Sequence, residues 1–84
     1  MNIEIKEKLA DYAHKSWSGW MQYLFSLSKK NRDGSITIPV ELVNRWKRQI
    51  NTKYKKLSEK EKDSDRLEAD RIIKIVKEFD KLIN

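Results

Sequence analysis

The 84-residue chain has no cysteine, a single proline, two glycines and one histidine. Without cysteine there can be no disulfides or thiolate metal sites, and one histidine cannot build a zinc cluster without borrowed carboxylates. Neither a metal nor a cofactor is therefore expected. Gly19 and Gly34 stand too far apart for a glycine-rich phosphate loop. No apolar run approaches the roughly 20 residues that span a bilayer. The opening MNIEIKEKLADY mixes charge with apolar side chains where a secretory signal needs a continuous apolar core. These absences lead to the expectation of a soluble protein of the cytoplasm with no membrane partner.

Charge is plentiful: charged and hydrophobic residues each make up 38% of the chain, a balance that suits a salt-bridged helical module better than a sandwich or barrel. Eight aromatics, three of them tryptophan, argue against disorder. A chain of this length forms one domain, residues 1–84, that buries only about 60% of its unfolded surface. So thin a core gains from self-association, and a homo-oligomer with pockets near its interfaces is expected.

The net charge of +6 is unevenly spread. Residues 1–28 carry three positive and three negative side chains, residues 29–56 nine and two, and residues 57–84 seven and eight. The middle third thus attracts anions, whether phosphate, nucleotide, nucleic acid or acidic protein, or else it is a solubilising basic surface.

Apolar residues at Ile5, Leu9, Ala13, Trp17, Trp20, Leu24 and Leu27 recur at helical spacing, with Glu7, Asp11, Lys15 and Gln22 on the far side. This predicts an amphipathic first helix, weakened only at Gly19. Asp33-Gly34 reads as a turn and Ser35–Ile38 as a short extended segment. Pro39 suits the first turn of a second helix, whose apolar contacts are Val40, Val43, Trp46 and Ile50. Ser58 and Glu61 satisfy a capping box, so a third helix begins at Ser58, its buried stripe formed by Ile72, Ile73, Val76, Phe79 and Ile83. The expected fold is mostly α: a small three-helix domain with a short turn and extended insertion between helices 1 and 2.

Catalysis has little to work with, because a nucleophile needs an adjacent base with an orienting partner. Most carboxylates have ready helical partners; Glu59 with Lys62, Asp63 with Arg66, and Glu68 with Arg71 are three apart on a common face. A non-enzymatic binding role is the better reading. Lys62 and Arg66, four apart and alike in charge, form either an anion clamp or two cations neutralised by those acids, and spacing alone favours neutralisation. His14 and Trp17 set an imidazole beside an indole, a stacking face for a nucleotide if the tryptophan is not core. Trp46, among Arg45, Lys47 and Arg48, poses the same alternative. Tyr54, between the second helix and the capping box, is the aromatic most expected to be half exposed.

LADYAHKSW near the front and YKKLSEKEKDSDRLEADRI near the back resemble the ryanodine-receptor repeat family. The matching residues are Ala10, His14 and Trp17, then Tyr54, Leu57, Ser58, Glu61, Lys62, Asp65 and Arg66. The resemblance implies a small stand-alone module of the kind carried by bacteria and phages, one that binds nucleotide-type ligands in host–virus conflict. On that reading the chain is a phage-encoded sponge for a host immune second messenger. His14, Trp17, Trp46, Arg48, Tyr54, Lys62 and Arg66 would supply the rings and cations of its site. Two other readings stand beside it: nucleic-acid binding through the basic middle helix, and inhibition of a host enzyme through an anchoring tryptophan.

Overall fold

Three α-helices and a short strand pair account for most of the residues described, in the order α1 (Asn2–Leu27), β1 (Lys29–Lys30), β2 (Ile36–Thr37), α2 (Val40–Ile50), a 3-10 turn (Tyr54–Lys56) and α3 (Glu59–Ile83). The computed structural model describes residues 2–83, with side chains for 4–81. The chain is mostly helical, three helices with a short insertion between the first two as expected, and that insertion is a strand pair. None of the helices described is long and apolar enough to cross a membrane. Contacts group the residues into two compact units. Unit 1 joins Met1–Trp17 to Ser58–Asn84, and unit 2 is Ser18–Leu57.

In unit 1, α3 starts where the capping box requires. The Ser58 hydroxyl accepts the Glu61 backbone N–H at 3.2 Å, while Glu61 Oε1 accepts the Ser58 N–H at 3.2 Å. Each side chain thereby satisfies a donor that the first turn leaves without an intrahelical partner. Glu59 and Glu61 add negative charge at the positive end of the helix dipole. All three predicted i,i+3 ion pairs form: Lys62–Glu59 at 3.9 Å, Arg66–Asp63 at 2.9 Å and Arg71–Glu68 at 2.8 Å.

The inward stripes differ from those the apolar spacing predicted. The partly buried face of α1 in unit 1 is Ile5, Leu9, Tyr12 and Ser16, whereas Ala13 and Trp17 are exposed. On α3 the inward positions include Glu68, Ile75 and Phe79, and Ile72, Ile73 and Val76 are exposed. The reason is polar: Tyr12 Oη and Ser16 Oγ both donate to Glu68 Oε2, so the two helices meet through a hydrogen-bonded node that hydrophobic periodicity cannot register. Among the described residues Phe79 alone is a buried hydrophobic, at 8% exposure. Ile83, the last member of the predicted stripe, has its side chain outside those described.

In unit 2, Ser28 ends α1 by donating its hydroxyl to the Leu24 carbonyl at 2.7 Å. β1 and β2 then pair antiparallel, Lys29 opposite Thr37 and Lys30 opposite Ile36. Their turn is held by Asp33, whose Oδ1 accepts both the Ser35 N–H at 2.9 Å and the Ser35 hydroxyl at 2.6 Å. Gly34 sits at φ +92°, a conformation that a Cβ would strain. Those two hydrogen bonds hold the Asp33 carboxyl below its ordinary pKa.

Pro39 lies one residue earlier than expected. It caps α2 rather than joining its first turn, with φ −56° and ψ 143°, and its carbonyl accepts the N–H groups of Leu42 and Val43. The partly buried face of α2 is Leu42, Val43, Trp46 and Gln49, which leaves Val40 and Ile50 exposed. At the far end Asn51 and Thr52 donate side-chain hydrogen bonds to the Lys47 and Arg48 carbonyls, at 2.9 and 2.6 Å. Those carbonyls lie in the last turn, whose acceptors lack intrahelical donors.

Candidate functional site

The candidate residues divide between the units. His14, Trp17, Lys62 and Arg66 belong to unit 1, and Trp46, Arg48 and Tyr54 to unit 2.

Within unit 1 the His14 imidazole stacks on the Trp17 indole, ring centroids 6.1 Å apart and planes 26° from parallel. Trp17 is 61% exposed, so the indole is a surface ring and not part of a core. Helical geometry accounts for this. Tyr12 and Ser16 turn toward Glu68, and His14, two residues from each, projects from the other side of α1. Arg66, two residues before Glu68, likewise leaves α3 on the side away from that node. Lys62 and Arg66 come together around Glu59, whose carboxylate pairs with Arg66 at 2.9 Å and with Lys62 at 3.9 Å. An internal carboxylate thus occupies the position an anionic ligand would take in the predicted clamp.

The node itself is electrostatically ordered. Glu68 is held below its ordinary pKa first by the Tyr12 hydrogen bond, then by Ser16 and Arg71, against the opposing effect of desolvation. Tyr12 is correspondingly raised, chiefly because its hydroxyl donates to Glu68. An open groove of about 410 Å³ lies alongside, lined by Glu7, Lys8, Asp11, Tyr12, Lys15, Ile75 and Glu78. It contains none of the residues the sequence nominated. With three acids against two lysines, it has no excess of positive charge for a phosphate.

Unit 2 differs in charge. It carries nine cations and two acids, net +7, whereas unit 1 carries ten and eleven, net −1. Trp46 is half-buried on α2, with Arg45, Lys47 and Arg48 exposed around it. Tyr54 opens the 3-10 turn at 47% exposure, flanked by Lys53, Lys55 and Lys56. Trp20 and Tyr23 on the second part of α1 make an edge-to-face pair, centroids 6.0 Å apart at 86°, and both are exposed. Sequence reasoning treated Trp20 as core and left Tyr23 out of the site. Their three-residue spacing was the available signal, but it is equally the spacing of a buried stripe. Compared with known family models, curated proteins and solved structures, the chain matches none. Among the described residues, no group of three or more His, Asp or Glu side chains is placed to hold a metal ion.

Proposed function

We propose that this protein is a non-catalytic binding module for a phosphorylated, base-containing small ligand, and that unit 2 holds that ligand. The observation that carries the reading is the partition of charge: one unit is +7 and also exposes Tyr54, Trp20 and Tyr23, and the other is net −1, with its candidate cations sharing Glu59. A base stacks on an aromatic ring with little regard to its identity, and guanidinium and ammonium groups donate charge-assisted hydrogen bonds to phosphate oxygens. Tyr54, with Trp46 behind it in the sequence, supplies ring surface; Arg48 and the lysines around Tyr54 supply donors. No bond is made or broken in this mechanism. The protein captures its ligand one for one, and the resemblance to ryanodine-receptor repeats supports a nucleotide-derived second messenger as the captured species.

Capture predicts ligand-dependent thermal stabilisation, because whatever binds only the folded state raises its stability by linkage. A panel of cyclic and ADP-ribose-derived nucleotides should contain at least one compound that raises the melting temperature with saturable dose dependence. If the whole panel leaves it unchanged, the reading fails.

A second reading, nucleic-acid binding, is favoured by the spread of exposed cations over β1, its turn, α2 and the segment after it, including Lys29, Lys30, Arg32 and Lys47. It predicts affinity for arbitrary DNA or RNA that falls steeply with salt, whereas small-ligand capture should discriminate among nucleotides.

A further inference from the structure

We infer that unit 2 takes its ligand as a short single strand of nucleic acid, with Trp20 and Tyr23 forming a second base-stacking site in addition to Tyr54. The inference rests on the reading that unit 2 holds a base-containing anion, and it adds the length of that ligand. It differs from a general affinity for nucleic acid in requiring unpaired bases.

The nine cations of unit 2 fall into two groups. Residues 18–32 hold Lys29, Lys30 and Arg32 and no acid, and residues 42–57 hold the other six cations, again with no acid. The stretch between them, residues 33–41, has no cation and contains both acids of the unit, Asp33 and Glu41. Each cationic group carries exposed ring surface: Tyr54 in the second, and in the first Trp20 and Tyr23, which are 50% and 43% exposed. A mononucleotide has one base and needs one such set. A second set equipped in the same way suits a ligand with further bases and further phosphates.

Helix geometry places the first set for that use. The partly buried positions of α1 in unit 2 are Ser18, Met21 and Leu24. Trp20 and Tyr23 lie roughly 100° and 160° around the helix from the centre of that arc, so both rings project outward. Their edge-to-face contact steadies the pair and leaves ring faces open to a base. Tyr23 sits one turn before the end of α1, and β1, with Lys29 and Lys30 both exposed, begins two residues past that end. The residues opposite them on β2, Thr37 and Ile36, are uncharged. Asp33, at the turn, already accepts two hydrogen bonds from Ser35. Rings beside cations that no acid offsets favour a strand whose bases are unstacked, because in a duplex the base faces are covered by one another. Unit 2 is a compact unit of 40 residues, Ser18–Leu57, and one of that size is roughly 25 Å across. At 3.4 Å per stacked nucleotide this is about seven nucleotides, and fewer when the strand is extended.

Isothermal titration of the intact chain with AMP and with oligoadenylates of two, four, eight and twelve nucleotides tests this. Affinity should rise by about 100-fold from AMP to the octamer and then level off, as expected when one ligand engages two linked sites, with one strand bound per chain. Trp20→Ala should weaken octamer binding by about 5- to 150-fold, the loss expected for one stacking ring, and so remove most of the gain with length. Lys29→Glu, on the exposed strand, should also reduce the gain by taking away a phosphate donor, and it decides the matter should Trp20→Ala lose its helical circular-dichroism spectrum. An octamer bound no more tightly than AMP overturns the inference and leaves capture at Tyr54 standing. A duplex of equal length that binds as tightly as the single strand also overturns it, as does an octamer bound equally by wild type and Lys29→Glu. If Tyr54→Ala as well binds every adenylate as wild type does, the reading of unit 2 on which the inference rests falls with it.

Discussion

Unit 1 and unit 2 draw on the same residue types and use them differently. In unit 1, acids and cations are nearly equal in number and several pair with one another: Glu59 with Lys62 and Arg66, Asp63 with Arg66, Glu68 with Arg71, Asp11 with Lys15. In unit 2 nine cations face two acids, one of which, Asp33, is committed to its own turn. Exposed rings occur in both units: Trp17 in unit 1, and Trp20, Tyr23 and Tyr54 in unit 2, keep much of their surface in water, while Phe79 in unit 1 is buried. Balanced charge suits a scaffold and excess charge suits an anionic partner. The contrast in charge supports the proposed reading, in which unit 1 is chiefly scaffold and unit 2 holds the ligand.

The largest effect should come from emptying the one buried position among the described residues. Phe79→Ala is expected to cost about 3 kcal/mol, at the low end for a buried phenylalanine because so little else packs around it. Urea unfolding measures this, and a loss well under 1 kcal/mol would show that unit 1 is not held together there. Tyr54→Ala should leave the urea midpoint almost unchanged while weakening nucleotide binding by about 1–3 kcal/mol, the range for removing one stacking ring. Isothermal titration reads that loss, and a variant that binds like wild type removes Tyr54 from the site.

Smaller effects sharpen the same contrast. Ser58→Ala breaks the cap of α3 and should destabilise the fold by about 1 kcal/mol without touching ligand affinity. The two glycines should respond with opposite signs. Gly34→Ala places a Cβ at φ +92° and should be destabilising, whereas Gly19→Ala, with open space around the new methyl group, should stabilise α1 by up to about 1 kcal/mol. Smallest is the pH dependence of the Tyr12–Glu68 node. Glu68 is lowered, so its contribution is present above the ordinary carboxylate range and is lost as pH falls through the lowered value. Tyr12 is raised, so its contribution is present below the ordinary phenol value and is lost as pH rises through the raised one. Melting temperatures of wild type and Tyr12→Phe should accordingly differ at neutral pH and converge at both extremes.

Features set by neighbours a few residues away were legible in the sequence. The Ser58–Glu61 box, the three i,i+3 pairs of α3, the Asp33-Gly34 turn and the His14–Trp17 stack depend on helix pitch and turn chemistry, which spacing reports directly. The faces of α1 and α3 were not, because the contact that orients them joins a tyrosine, a serine and a glutamate. A search for apolar periodicity passes over such residues and selects Trp17 and Ile73 instead, both of which are exposed. β1 was missed for a similar reason: Lys29-Lys30 shows no alternation and is a strand only because β2 offers it partners. The ring and cation candidates were individually visible, but charge balance within each unit separates them, and that balance depends on which distant segments fold together.

The account stands most directly on where a nucleotide touches the protein. Adding ADP-ribose, or whichever nucleotide the thermal panel selects, to isotopically labelled protein and following the amide NMR spectrum locates the contact. The account predicts perturbations concentrated in unit 2, strongest around Arg48 and Tyr54, with α3 little affected. Perturbations confined to α3 and the first part of α1, with Arg48 and Tyr54 unmoved, would contradict it.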